Sequence, residues 1–212
     1  MFVITADQID SRSTTDVAGS TRDSINRDHG GRLLLPADRN AGDEIQALTD
    51  DAGTALALVL ELTRTGQWSV GLGCGGIRLP LPSATREASG EAFFAARDAV
   101  SRAKKQQTRF AIEARSADEA GQTWPGGEDA EALVNLLLLL RERRSPAGWE
   151  LYDLISAGMA QSEAAVRLGI TPPSVSSRAR AAGIRLELAS IGALTRLLEN
   201  LDRASTGTDA HE

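Results

Sequence analysis

Gln161-Ser162-Glu163-Ala164-Ala165-Val166-Arg167-Leu168-Gly169-Ile170-Thr171-Pro172-Pro173-Ser174-Val175-Ser176-Ser177-Arg178-Ala179-Arg180 decides how the later part of the chain folds. It reads as two short helices joined by a turn. Ala165 is small, as a helix crossing requires, and Gly169 stands where the turn needs a positive φ. Thr171 is placed to N-cap the second helix, and Pro172 occupies its first turn, where a missing N–H is harmless. Val175 and Ala179 point inward at helical spacing. Ser174, Ser176, Ser177, Arg178 and Arg180 fall on the other faces. The pattern predicts a helix-turn-helix, whose second helix enters the major groove of double-stranded DNA.

At 212 residues the chain has room for one large domain or two small ones. Apolar residues make up 42% and aromatics only 4%, so the core must be mostly Leu, Ala, Val and Ile. A formal net charge of −6 excludes a broadly basic nucleic-acid coat protein. A local DNA-reading surface depends on local charge, and Thr171 to Arg185 holds three arginines and no acid. The single cysteine, Cys74, cannot form an internal disulfide, which points to a reducing compartment. The N-terminus has no basic segment and turns acidic at Asp7, unlike a signal peptide. Ala55–Leu60 and Leu136–Leu140 are too short to span a bilayer. A soluble, cytoplasmic protein with no membrane partner is expected.

The chain opens with a short apolar run, Phe2–Ala6, that reads as a buried strand. The polar stretch Ser11–Asn26 follows as a weak helix. Arg32–Pro36 and Glu44–Leu48 read as a hairpin with Gly42-Asp43 at or near its tip, the residues between them being turn formers. Ala52–Thr65 is a helix. Trp68–Leu79 is a glycine-rich strand in which another backbone approaches closely. Gly90–Lys105 is a helix and Phe110–Ala114 a strand. The order predicts an α+β sandwich over residues 1–115 with helices on one face. A linker from Ser116 and a helix over Glu128–Arg144 form a connecting region, 116–145. The helix carries acids in its first turn and Arg141, Arg143 and Arg144 in its last, as the macrodipole prefers. Its middle, Leu136–Leu140, is apolar nearly all round and should be buried on more than one side. A helical domain follows over 146–205, ending in an amphipathic helix, Leu186–Leu201. Residues 206–212 read as a frayed tail.

Asp7 closes the first strand and Asp43 sits in the hairpin turn. A strand end beside a hairpin tip brings two carboxylates within reach of one hard cation. Mg2+ or Mn2+ is therefore the expected metal, completed by phosphate and water oxygens. The structural alternatives are that Asp7 and Asp10 cap the following helix, that Asp43 is a turn residue, and that Arg97 is a solvated helix arginine. Gly71–Gly76 has neither the phosphate-loop nor the dinucleotide spacing. Cys74 reads as an inert core thiol, and His29 and His211 form no zinc site with one cysteine.

Phe2–Ala114 resembles the palm-like catalytic domain of class III nucleotidyl cyclases. In that family an Asp at the end of the first strand and a Gly-Asp in the next hairpin hold the metals, positions matched by Asp7 and Asp43. The resemblance also implies a transition-state arginine, matched by Arg97, for contact with a nucleotide phosphate. Phe93 stands where the family has Asn. More of the chain resembles the SatD family of bacterial proteins. The match lies in Ile4-Thr5-Ala6-Asp7-Gln8-Ile9-Asp10-Ser11-Arg12, Ala41-Gly42-Asp43-Glu44-Ile45-Gln46, Val70-Gly71-Leu72-Gly73, and Gly90-Glu91-Ala92 ahead of Ala95 and Arg97. That resemblance implies the two-part layout. The helix pair around Gly169 is similar to sigma-factor region 4, with Ala179 where that group often has a larger apolar residue.

The leading expectation is a DNA-binding regulator whose ferredoxin-like, cyclase-like part acts as a sensor or as a homodimerisation module. The alternatives are a metal-dependent nucleotidyl transferase or nucleotide hydrolase using Asp7 and Asp43, and a protein-binding scaffold.

Overall fold

The apolar opening run becomes the middle of a sheet. In the computed structural model, which describes residues 1–40, 42–115 and 126–206, β1 (Phe2–Gln8) lies between β3 (Glu44–Thr49) and β4 (Trp68–Cys74) and is antiparallel to both. β2 (Leu35–Asn40) pairs antiparallel with β3, and β5 (Phe110–Ala114) pairs parallel with β4. The order across the sheet is β2-β3-β1-β4-β5. Such central strands are buried on both faces. This is why Phe2, Val3, Ile4, Thr5 and Ala6 are all buried without strict alternation.

Register assigns the faces. Val3 is opposite Gly73 and Thr5 opposite Gly71. A Cβ at Gly71 would lie 2.2 Å from Val100 N, and one at Gly73 would lie 2.2 Å from Ala92 O. Helix α3 (Glu91–Ala103) thus rests on bare strand backbone, which its buried Ala92, Ala95, Ala96, Ala99 and Ala103 permit. The other face is covered by α2 (Ala52–Arg64), which packs on β1, β3 and β4. Asp51 starts α2 by accepting a hydrogen bond from Thr54 N at 2.8 Å. α1 (Ala18–His29) runs beside β2, and its Asn26 side chain bonds both N and O of Ala37.

Several expected boundaries move. The second strand lies later than Arg32–Pro36, because Asp38, Arg39 and Asn40 pair with β3 instead of turning. The weak helix starts at Ala18, after a turn in which Ser13 N and Thr14 N bond Asp10 O. The glycine-rich strand stops at Cys74. His29 ends α1 and bonds Glu61 at 2.9 Å. Helices flank both faces of the sheet, not one. Cys74 is buried, and burial pushes its thiol well above the usual range, as a core role requires.

The chain divides into two compact units. One runs to Asn135 and resumes at Leu194, and the other covers Leu136–Ala193. The divisions fall inside α4 (Gly127–Glu142) and α8 (Ile184–Thr206). The early part of α4 is fastened to the sheet through Glu131, which accepts from Ile112 N at 2.8 Å and from Arg102 at 2.5 Å. Of the linker expected over 116–127 only residues 126 and 127 are described, and of the tail expected over 206–212 only Thr206, the last residue of α8.

The second unit is helical. α5 (Pro146–Ser156), α6 (Gln161–Leu168) and α7 (Pro172–Ala181) enclose Leu151, Ala164, Ala165, Val175, Ala179, Ala182 and Ile184. Two readings of α4 gain detail here. Leu137 and Leu138 are buried and Leu139 and Leu140 partly so, while Leu136 is 63% exposed and leaves one side of the leucine run open. The acids Glu128 and Asp129 do open α4 and Arg141 stands in its last turn, but the macrodipole alone does not account for Arg141 and Arg144. Both are buried, and both pair with Glu187, whose side chain is wholly buried. Arg144 reaches Glu187 at 2.5 Å and donates from Nε to Ala182 O at 3.0 Å. Its guanidinium lies 4.4 Å from the Trp149 ring centre and 4.5 Å from that of Tyr152. Burial, and then the Glu187 charge, hold the Tyr152 hydroxyl above its ordinary pKa. Among the described residues no helix is long and apolar enough to cross a membrane.

Candidate functional site

The turn between α6 and α7 is built as its sequence dictates. Glu163 reaches back to accept from Ala160 N at 2.9 Å, closing the first turn of α6. Gly169 ends that helix in the left-handed region at φ 64°, where its N–H returns to the α6 carbonyls. Thr171 Oγ1 accepts from Ser174 N at 3.3 Å and lies 2.8 Å from Ser174 Oγ. Pro172 and Pro173 fill positions whose N–H groups would have no helical acceptor.

This geometry sets the phase of α7. Val175 and Ala179 are buried, and Ser174, Ser176, Ser177 and Arg180 are exposed. Arg178 differs from its companions. It is half-buried at the edge of the helix, with its guanidinium 3.7 Å from Glu150 of α5. Of the five residues read as facing away from Val175 and Ala179, four are exposed and the fifth leans toward a neighbouring acid. The exposed face offers hydroxyls and one long cation, a set able to bond phosphates and base edges.

A second group of ionisable side chains lies on the sheet. Asp7 shares the α3 side of the sheet with Val3 and Thr5, and its cross-strand partner on β3 is Glu44. Asp7 Oδ2 accepts from Lys104 Nζ at 2.7 Å, just past the end of α3. Glu44 Oε1 accepts from Asn40 at 2.9 Å and Gln46 at 3.2 Å. Burial holds the Glu44 carboxyl above its ordinary pKa, and the Asp7 charge adds to that shift. The Asn40 hydrogen bond and the Arg97 and Lys104 charges oppose it. Asp43 is turned to another partner. Its carboxylate takes the Ser11 hydroxyl, and its carbonyl accepts from Gln8 N at 3.1 Å. Arg97 is exposed on α3, within electrostatic reach of Glu44.

The structure therefore places Asp7 beside Glu44 on one sheet face. Among the described residues no three His, Cys, Asp or Glu side chains are grouped to hold a metal ion. Two carboxylates on adjoining strands suit a cation that also takes phosphate and water oxygens, but do not make an all-protein cage. Sequence reasoning missed Glu44, Lys104 and Glu150. Only the Glu44 position carried a signal, as the acid that follows Asp43 at the start of a strand.

No family model matches the chain, and no curated protein or solved structure matches it.

Proposed function

We propose that the chain is a DNA-binding regulator of the SatD family in which α6 and α7 form a helix-turn-helix and α7 is the recognition helix. The observation that carries this reading is the outward face of α7. Exposed Ser174, Ser176, Ser177 and Arg180 stand on a helix of fixed phase, and no acid occurs from Thr171 to Arg185 in a chain of net charge −6. A helix held inward by Val175 and Ala179 and opened by Thr171 and two prolines presents that face to a groove. The acidity of the whole keeps indiscriminate attraction to phosphate low. A homodimer in the cytoplasm, reading two half-sites, fits the same reading.

In this proposal the sheet unit is the sensor or dimerisation module. The order β2-β3-β1-β4, with its neighbouring strands antiparallel, supports the ferredoxin-like reading of this unit, to which β5 adds a parallel strand through α3. Cyclase-like descent accounts for Asp7, Asp43 and Arg97. Asp7 and Glu44 favour a second reading, an Mg2+ or Mn2+ nucleotide enzyme. A partly buried carboxylate of raised pKa beside a second acid and two cations is an arrangement found at catalytic centres.

Selection from a random duplex pool at fixed, moderate salt tests the first reading. The wild type is expected to enrich a motif that the Arg178→Ala/Arg180→Ala double variant fails to enrich. Enrichment of no motif by the wild type, or of the same motif with equal affinity by the double variant, refutes it.

A further inference from the structure

The two arginines of α7 do not share one environment. With about 100° per residue, the direction opposite buried Val175, Ala179 and Ala182 is occupied by Pro173, Ser177 and Arg180. Pro173 and Ser177 are short, so nothing on that line holds a partner away from the helix backbone. Arg180 is the one long side chain there. Arg178 lies about 110° from that line, nearer the buried side. Only 27% of its side chain is exposed, and it faces Glu150, which is itself 61% exposed.

We propose that α7 divides its work between these residues. Arg180, with Ser177 beside it, sets sequence preference, and Arg178 is a positioning residue for phosphate whose charge Glu150 restrains. This inference rests on the DNA reading above. An arginine on the outermost line has the reach and the forked donors to bond O6 and N7 of a guanine. An arginine at the flank of a recognition helix meets the sugar-phosphate wall, where contacts orient the protein without reading sequence. Glu150 stands against that flank. Its carboxylate competes with phosphate for the guanidinium and repels the backbone, so it lowers affinity for every sequence alike.

The test uses the full chain and four proteins: wild type, Arg180→Ala, Arg178→Ala and Glu150→Gln. Each is put through duplex selection and then titrated with selected and scrambled duplexes across a salt series. Arg180→Ala is expected to lose about tenfold or more of its preference at one base position. Arg178→Ala should keep the motif, bind all duplexes more weakly, and show a log–log salt slope shallower by about one. Glu150→Gln should keep the motif and bind selected and scrambled duplexes several-fold more tightly. The division is overturned if Arg178→Ala erases a base position, if Arg180→Ala leaves the motif intact, or if Glu150→Gln binds no tighter. Failure of the wild type to bind any duplex refutes the DNA reading itself. Binding with a motif but without this pattern refutes only the division.

Discussion

Each unit sets a glutamate near two cations, and the two settings differ in kind. In the helical unit Glu187 is wholly buried, and its carboxylate is divided between Arg141 and Arg144, with Trp149 and Tyr152 against the guanidiniums. In the sheet unit Glu44 is half-buried, takes its hydrogen bonds from the amides of Asn40 and Gln46, and meets Arg97 and Lys104 only through their fields. The first arrangement is closed, since every partner is protein and solvent is excluded. The second is open, since Lys104 is occupied by Asp7 at a half-exposed rim and Arg97 points to solvent. Charge count does not separate architecture from a place where a ligand can enter. Burial and the identity of the hydrogen-bond donors do.

The contrast is sharpest in stability. Glu187→Gln leaves two buried guanidiniums without their counter-charge and should destabilise the protein by about 3–5 kcal/mol in denaturant titration. Replacing Glu187, Arg141 and Arg144 together by apolar residues of similar size should restore most of that loss. A Glu187→Gln variant with an unchanged midpoint would show the closed cluster to be an ordinary surface-like pair. Next in size is Gly73→Ala, which drives a methyl into Ala92 O and the Ala96 backbone. Overpacking of this kind costs about 1–3 kcal/mol. Thermal melting at one pH checks it, and no change in Tm would mean that α3 shifts freely off the strand.

The open glutamate should reveal itself through pH. Its folded-state pKa is raised by burial, so between the ordinary value and the raised one the folded protein keeps a proton that the unfolded chain has released. Stability therefore falls as pH rises through that window. Glu44→Gln keeps a carbonyl acceptor for Asn40 and Gln46 but cannot titrate. Its Tm should gain on the wild type as pH rises through the window, and the two curves should run parallel below it. Curves parallel throughout would mean that Glu44 is solvated like any surface acid. The smallest expected effect on stability is that of Asp7→Asn. The Lys104 pair is partly exposed, and such pairs are worth about 0–1 kcal/mol. The same variant gives the metal reading its test. Calorimetric titration with Mn2+ should show binding to the wild type that is lost in Asp7→Asn and in Glu44→Gln. Identical titrations, or none, leave Asp7 with a structural role.

Local chemistry was legible in the sequence, and long-range chemistry was not. Thr171, Pro172 and Gly169 act through bonds to residues within one turn, so their cap and turn could be read directly. The sheet strands were visible as apolar runs, but β2 was displaced because Asp38-Arg39-Asn40 look like turn residues until a partner strand supplies their hydrogen bonds. Glu44 meets Asp7 only through register across two strands. The buried triad spans more than forty residues, yet it left a trace. Glu187 interrupts the inward-facing series Ile184, Leu194, Leu198 and Leu201 at helical spacing. An acid on such a stripe demands a buried cation. The macrodipole accounts for Arg141 at the end of α4 but says nothing of the burial of Arg141 and Arg144 against Glu187.

The triad also limits how the chain can be divided for study. A fragment cut in the loop before α5, at Ser145, would look natural because that residue caps a helix. It would retain Glu187 and discard both of its cations, leaving a naked charge in the interior and the Trp149 and Tyr152 rings without the guanidiniums they cover. The smallest piece of the helical unit able to fold unaided must therefore begin upstream of Arg141, within α4, and extend beyond Glu187 into α8.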